Sequence, residues 1–518
     1  MENTPRRFNL VEEAWIPVVD VGQVSLRQIF TDQGLRALGG NPIQKISIMK
    51  LLLAIGQAAC TPKDDEEWKA LGADGLARKA RAYLEDKKDL FWLYGERPFL
   101  QMPGIYDIIK KRKANIRLNA KKPKKLNIAQ EKIHPRKPGS GDYPDLPAGN
   151  NTILTQRNHG VAMDDSGKAL FLLSLMPFAL AGKQIDHGIV LASNYTSKSA
   201  VAKVGPSLGR ACYLHTFIFA ETLLKTIHLN IFTADKIGEL LYYKEGLGIP
   251  PWEQMPIAEN CEIGKRLLQS YMGVLIPMSR FVLYNLNGLY YTEGIQYPNH
   301  KEGWVEPTMA IKHGERGVQV LQAKTEKKPW RDLTALMSYV ASERGYDCIQ
   351  LQYGLDHAKN AQYEEITIWS GGMDVSGDSF GQKVKGADDY VQSEVSLQTE
   401  FIGKPWFAHL KAEMGMLEEM AKTTYGAVQG YSGHLKMAGK DQAAQASNLF
   451  WQLAERNFQE LVDACNEQTD AATVALWRMF AGYAYRAYDA CAPRGTARQL
   501  EAWAAHRPNL GKYLVTAK

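Results

Sequence analysis

The residues best equipped for chemistry in this 518-residue sequence are lysines and arginines gathered in one window. Residues 110–137 hold twelve Lys or Arg and a single acid, Glu131, whereas the whole chain has a net charge of only +6. Cationic side chains at this density bind and neutralise phosphate groups. We predict a basic loop continuing through a Pro- and Gly-rich stretch to about residue 158. Its nonspecific phosphate contacts would be Lys121, Lys122, Lys124 and Lys125, and the alternative is a solvated loop without a ligand.

Motifs of known enzymes are few and weak in this sequence. Residues 205–209 match the GxSxG nucleophile elbow, but an elbow follows a strand, and here a strand is predicted afterwards, near Tyr213. His159 lies in an Asn-His-Gly turn, where a loop role is favoured over a nuclease site. The sequence has no HExxH motif, no Cys–His pair at ligand spacing, no Walker A loop and no GxGxxG. We therefore predict a binding protein without catalysis, metal or cofactor; the alternative is a stand-alone nucleic-acid hydrolase or nuclease using Ser207 or His159.

The cysteines and the apolar stretches indicate the cellular compartment of the protein. The six cysteines are scattered singly, as in a reducing cytosol, and no apolar run follows the N-terminal arginines as it would in a signal peptide. The two longest apolar stretches, Ile46–Cys60 and Ala169–Gly182, are shorter than the roughly 20 residues needed to cross a bilayer. We therefore expect a cytoplasmic protein without a membrane span.

Hydrophobic periodicity predicts mixed α and β structure over residues 1–399. A helix is expected at Ile43–Cys60 and a charged helix at Asp64–Asp86. Asn287-Gly288 between two aromatic runs is typical of a β-hairpin. A second hairpin is expected from residues 309–314 and 318–321, and a strand at Glu365–Trp369 that Ser370-Gly371-Gly372 would end.

The pattern changes near residue 400. Four amphipathic helices are expected there, with apolar stripes beginning at Trp406, Leu449, Trp477 and Leu500. Consecutive helices separated by Gly or Pro favour a bundle. The predicted architecture is α+β: a mixed N-terminal domain, 1–399, followed by a four-helix bundle, 400–518.

Several segments, taken in order, resemble the CasA family, the large subunit of the type I-E CRISPR surveillance complex Cascade. The most specific are FNLVEEAWIPV near the N-terminus with the following SLRQIF, and LLLAIGQAACTPKDDEEW at Leu51–Trp68. Others are FWLYGERPFLQ at Phe91–Gln101, GNNTIL at Gly149–Leu154, and the hairpin around Asn287-Gly288. These motifs are signatures of fold rather than of chemistry, and they cover nearly the whole chain in the family's order.

The resemblance implies a non-catalytic role in antiviral defence. Family members recognise the protospacer-adjacent motif in double-stranded DNA, help to open the duplex and recruit a helicase–nuclease, while a guide RNA reads the sequence by pairing. The implied partners are the other Cascade subunits, the guide RNA, target DNA and the helicase–nuclease.

The resemblance also implies particular site residues. Docking on the guide RNA and the complex falls to Asn150, Asn151, Leu154, Thr155 and Gln156. A lysine reaching the minor groove corresponds to Lys312. A wedge that splits the duplex follows Gly371-Gly372, with its tip at Ser376, Gly377 and Asp378; these glycines would let backbone approach DNA. Two features depart from the family: the wedge glutamine is missing, and the glycine-rich DNA-facing loop is replaced near 193–203, where Asn194 and Lys198 are the candidate contacts.

Overall fold

The chain combines helices and small sheets. The computed structural model describes residues 7–119, 163–178, 189–192, 212–285, 288–298, 300–315, 317–342, 345–378, 381–384, 390–466 and 470–514. In these ranges the α-helices are α1 (Leu26–Ile29), α2 (Pro42–Ala59), α3 (Asp65–Asp86), α4 (Gly104–Asn119), α5 (Asp165–Phe178), α6 (Leu223–Asn230), α7 (Ala234–Glu239), α8 (Glu262–Leu267), α9 (Tyr271–Leu275), α10 (Leu333–Leu336), α11 (Ile349–Asn360), α12 (Lys404–His434), α13 (Lys440–Glu455), α14 (Phe458–Ala464), α15 (Asp470–Cys491) and α16 (Ala497–Ala505). The strands are β1 (Ile16–Val18), β2 (Gly22–Val24), β3 (His215–Phe219), β4 (Arg280–Asn285), β5 (Gly288–Glu293), β6 (Ala310–Gly314), β7 (Gly317–Val320), β8 (Asp347–Cys348), β9 (Glu365–Met373), β10 (Val375–Asp378), β11 (Gly381–Val384) and β12 (Tyr390–Gln398).

Two compact units make up the chain, and neither is continuous in sequence. Unit 1 comprises 1–329, 346–361 and 368–394, and unit 2 comprises 330–345, 362–367 and 395–518. The predicted domain boundary between residues 399 and 400 stays a prediction.

The core of unit 1 is built around α2. Asn41 caps this helix through a capping box with Gln44, and Pro42 occupies its first turn, where the missing N–H costs nothing. Nearly every residue from Ile43 to Gln57 is buried. The continuous apolar run that predicted this helix is therefore explained by neighbours on all of its sides.

The second predicted helix, α3, contains a buried aromatic stack. The helix is kinked at Gly72, whose φ of 58° lies in the left-handed region. Before the kink, Trp68 lies between two imidazole rings, with centroids 4.2 Å from His228 and 3.7 Å from His357. The stack joins α3 to α6 and α11, which lie far from it in sequence.

The sheets are small, and most are hairpins. β4 and β5 pair with Asn285 opposite Gly288, and β6 and β7 pair with Gly314 opposite Gly317, so both predicted hairpins are confirmed. A three-stranded sheet has the order β12-β9-β3. The expectation that Ser370-Gly371-Gly372 ends β9 is wrong, because the strand continues through them to Met373. Buried Gly can extend a strand where neighbouring groups approach too closely for a Cβ.

The basic window does not begin as a loop. Residues 110–119 belong to α4, which carries the buried side chains Ile105 and Ile109 one turn apart. Lysine and arginine are good helix formers, so a run of them extends a helix that starts on an apolar stripe. The prediction of a loop from residue 110 is therefore wrong for 110–119, and residues 120–162 lie outside the described residues.

The helices of unit 2 differ in part from the predicted four. α12 packs against α13, α15 and α16. The second of the four helices predicted after residue 400 is in fact two helices, α13 and α14, which are separated at Arg456 and Asn457. The buried face of α13 is Ala443, Ala446, Phe450, Trp451 and Ala454, whereas Leu449 and Leu453 are only half-buried. In α16, Leu500 is 49% exposed, so its predicted place in the apolar stripe is wrong. Small Ala side chains allow close helix packing, which an apolar-stripe rule based on large residues misses.

Candidate nucleic-acid interface

The hairpin formed by β6 and β7 presents the predicted lysine. Lys312 lies opposite Gln319 in the register, and the turn beyond it is exposed at His313, Gly314 and Gly317. Lys312 is half-buried, and its side chain makes no hydrogen bond or ion pair with any residue that the structure describes. Its ammonium is therefore available to an external acceptor.

A fully buried polar network lies where the chain enters this hairpin. Lys50 Nζ is 2.5 Å from Glu306 Oε2, and both side chains are 1% exposed. Thr308 Oγ1 donates to Glu306 Oε1 at 2.9 Å, and His215 Nδ1 is 2.8 Å from Thr308 Oγ1. Since the single hydroxyl proton goes to the carboxylate, His215 Nδ1 must be the donor to Thr308.

Burial sets the charges in this network. It lowers the pKa of Lys50, and the neighbouring Glu306 carboxylate opposes that effect. It also lowers the pKa of His215 well below the ordinary value, and the nearby Lys50 charge adds to the shift. His215 is therefore neutral, and the network is one ion pair held by neutral hydrogen-bonding groups. Because Thr308 comes just before β6, the network holds the base of the Lys312 hairpin.

The predicted wedge is also part of a hairpin. β10 pairs with β11, so that Ser376 lies opposite Lys383, Gly377 opposite Gln382, and Asp378 opposite Gly381. Ser376, Gly377 and Asp378 are thus strand residues, and Asp378 ends β10. The hairpin does contain a glutamine, Gln382. It lies on β11, opposite Gly377 in the register, and it joins the hairpin because the chain folds back on β10.

Gly371 and Gly372 are packed against other parts of the protein. Both are buried in β9. A Cβ on Gly371 would lie 2.6 Å from the Trp369 ring, and one on Gly372 would lie 2.4 Å from the Tyr213 carbonyl oxygen. Tight packing inside unit 1 therefore requires these glycines, and the expected close approach of their backbone to DNA is not supported by this placement.

We predict that Gly372→Ala destabilises the protein by about 1–3 kcal/mol, since a backbone carbonyl cannot move aside as a side-chain end can. Gly238→Ala is the matched control, because a Cβ there meets no atom of the described residues within 4 Å. Denaturant titration should show a lower midpoint for Gly372→Ala alone. A wild-type midpoint for that variant would contradict the packing explanation.

A basic turn, Lys324–Lys328, lies between the bases of the two hairpins, and sequence reasoning missed it. Lys324 pairs with Lys327 across the turn, and Thr325 donates from its N–H and hydroxyl to Asp374 Oδ2, each at 3.1 Å. Asp374 directly precedes β10, so these bonds tie the basic turn to the β10–β11 hairpin. Lys324 and Lys328 are exposed. The sequence signal for this turn is the run KTEKKP, which is shorter and less basic than residues 110–137.

Many predicted site residues lie outside the described residues, and their placement stays a prediction. They are Lys121, Lys122, Lys124, Lys125, Asn150, Asn151, Leu154, Thr155, Gln156, His159, Asn194, Lys198 and Ser207. Among the residues that are described, no group of three or more His, Cys, Asp or Glu could hold a metal ion. No helix in the same part of the chain is long and apolar enough to span a membrane.

Comparison with known proteins identifies the family. A curated relative, the CRISPR-associated protein CasA/Cse1 of Thermus thermophilus, is 25% identical over 388 residues, which are 69% of this chain and 64% of that protein. The match thus spans less than two thirds of the relative's length.

Solved structures share the fold. A crystal structure of Thermus thermophilus CasA matches with a TM-score of 0.69 at 19% identity, covering 98% of this chain and 99% of that one. Thermobifida fusca Cse1 matches with a TM-score of 0.70 at 18% identity, covering 98% of each chain. A chain of a CRISPR RNA-guided surveillance complex matches with a TM-score of 0.62 at 16% identity, covering 98% of this chain and all of that one. The family described as CRISPR-associated protein Cse1 matches residues 9–502, nearly the whole sequence. The chain therefore belongs to the Cse1 family of CRISPR-associated proteins.

Proposed function

We propose that this chain is the non-catalytic large subunit of a type I-E surveillance complex, Cascade. In this role it recognises the protospacer-adjacent motif in double-stranded DNA, aids duplex opening and recruits the helicase–nuclease in antiviral defence. The observation that carries the proposal is the β6–β7 hairpin, which presents Lys312, unpaired among the described residues, beside a basic turn and a second hairpin. Family membership and a fold shared with a surveillance-complex chain support it.

Three elements have different roles in this function: the β6–β7 hairpin, the basic turn Lys324–Lys328 and the β10–β11 hairpin. Lys312 reads the motif through the minor groove, where A·T and T·A pairs present similar acceptors, so recognition is permissive. Lys324 and Lys328 contact phosphates without regard to sequence. The β10–β11 hairpin, with Asp378 at its turn and Gln382 on its returning strand, separates the first base pair.

Other contacts rest on residues beyond the described ranges. We propose that Asn150–Gln156 dock the chain on the guide RNA and the other subunits, and that the lysines at 121–125 add nonspecific DNA affinity. Asn194 and Lys198 remain candidate motif contacts. In unit 2, we propose that α12, α13, α15 and α16 form the helical bundle, supported by the contacts that α12 makes with the other three.

Lys312→Ala should weaken binding of motif-bearing duplex by about 1–3 kcal/mol, because a base-edge contact is lost, and should change motif-free duplex much less. The measurement is equilibrium binding of both duplexes to the complex reconstituted with its guide RNA. Lys328→Ala is the matched control: it should weaken both duplexes alike and flatten the salt dependence. Equal losses for Lys312→Ala on both duplexes would reduce Lys312 to a phosphate contact and remove the hairpin as the motif reader.

A further inference from the structure

A cavity of about 750 Å³ in unit 1 has no role in the function proposed above. Its volume falls within the range typical of small-molecule sites. The aromatic segment Phe91–Gln101 forms one wall, and the ends of β4 and α5 contribute others. The side chains on which the argument depends are Arg7, Trp92, Tyr94, Glu96, Lys168 and Tyr284.

Backbone pairing brings a cation to this cavity. Leu93 N donates to Phe8 O at 2.9 Å, and Asn9 forms a β-bridge with Trp92. Because Arg7 directly precedes Phe8, this pairing places its side chain at the cavity. Arg7 is exposed and makes no ion pair with the described residues.

The walls are held in place by the protein itself. Gln101 is 1% exposed; its Nε2 donates to Leu93 O at 2.7 Å, and its Oε1 accepts from Tyr284 N at 2.8 Å. The Tyr284 hydroxyl donates to Lys168 O at 3.0 Å, which ties β4 to α5. Both polar groups of the Gln101 side chain therefore hold the cavity wall together. The cavity is thus preorganised, which lowers the entropic cost of binding.

The charges of the lining suit one phosphate rather than many. Lys168 Nζ is 3.3 Å from the Tyr94 hydroxyl and 3.7 Å from Asp165, so a carboxylate balances its charge. The Tyr94 hydroxyl donates to the same carboxylate at 2.6 Å. The exposed acid Glu96 also lies on the rim. Arg7 is left as the cation for a ligand, while the half-buried Trp92 and Tyr94 offer aromatic rings.

We propose that this cavity binds one unpaired nucleotide of a single-stranded nucleic acid. Its base stacks on Trp92, and its phosphodiester pairs with Arg7. Stacking on aromatic rings is how proteins hold unpaired bases of any sequence, and a paired base inside a duplex cannot enter such a cavity. This site is distinct from the duplex-binding hairpins and rests on the proposed function only in taking nucleic acid as the ligand.

The test uses the full-length chain with labelled oligouridylate, oligodeoxythymidylate and a duplex of the same length. Trp92→Ala should weaken both single strands about tenfold, the effect of losing one stacked base, and leave the duplex unchanged. Trp92→Phe is the matched control and should bind like wild type. Arg7→Gln should flatten the single-strand salt dependence by about one counterion. The two single strands, compared with uridine monophosphate as competitor, separate RNA, DNA and free nucleotide as sources of the ligand.

Unchanged single-strand affinity in Trp92→Ala, or equal losses on single strand and duplex, would overturn the proposal. So would full competition by the mononucleotide at the oligomer's nucleotide concentration. Should Trp92→Ala fail to fold, photocrosslinking of 4-thiouridine oligomers to the wild-type chain decides the matter, with the peptide containing Trp92 and Tyr94 as the expected site and crosslinks only elsewhere as refutation. Lys312→Ala, measured in parallel, should affect the binding of motif-bearing duplex alone. A failure of the single-strand site can therefore be distinguished from a failure of the proposed function.

Discussion

Glu306→Gln should destabilise the protein by about 3–5 kcal/mol, because it leaves the Lys50 ammonium buried without a counter-charge. Lys50→Met should cost a similar amount by stranding the Glu306 carboxylate. Both side chains are 1% exposed in the wild type, so water cannot take the partner's place. The free energy of unfolding from denaturant titration measures the effect. Since Thr308 links this pair to the start of β6, either variant should also weaken the motif discrimination that we propose for Lys312.

Two further variants serve as controls for this prediction. Glu262→Gln breaks an exposed ion pair with Lys265, in which the side chains are 73% and 63% exposed, and it should change stability by less than about 1 kcal/mol. The double variant Lys50→Met/Glu306→Leu removes both charges and should be more stable than either single variant. If the single substitutions cost no more than Glu262→Gln, the buried pair does not hold the base of the hairpin.

Acidification from pH 7 towards pH 4 should destabilise the protein through the two imidazoles stacked on Trp68. Burial lowers the pKa of His228 and of His357 to about 4, and the Asp65 carboxylate, 3.3 Å from His357 Nε2, only partly opposes the shift. Their pKa in the unfolded chain is about 6.5. The unfolded chain therefore binds more protons between these values, so the stabilisation is complete above pH 6.5 and declines as pH falls to about 4. By linkage, each histidine contributes a loss of about 3 kcal/mol.

The measurement is the free energy of unfolding as a function of pH for the wild type and for His357→Phe, which keeps an aromatic ring against Trp68. The variant should show a shallower decline below pH 6.5. His313→Gln is the control, because His313 is exposed on the β6–β7 turn, and its curve should parallel the wild type. If His357→Phe and the wild type have identical pH slopes, burial does not keep His357 neutral in the folded protein.

Local chemistry was enough to predict much of the fold and the family. An apolar run predicted α2, and Asn-Gly between aromatic runs predicted the β4–β5 hairpin. A second hairpin was predicted at residues 309–321, and the family resemblance indicated Lys312 on it. Each of these signals comes from residues a few positions apart, where the period of side-chain direction reports the backbone directly. The order of such segments along the chain was also sufficient to indicate the Cse1 family.

The tertiary structure alone decided which residues meet and which are hidden. Lys50 and Glu306 pair across 256 positions, and no local pattern identifies the partner of either residue. The sequence suggests that Gly371 and Gly372 let the backbone approach DNA, but Trp369 and Tyr213 occupy the space beside them. Gln382 lies opposite Gly377 only because β11 folds back on β10. Sequence periodicity records the direction in which a side chain points, whereas its partner is determined by packing between segments distant along the chain.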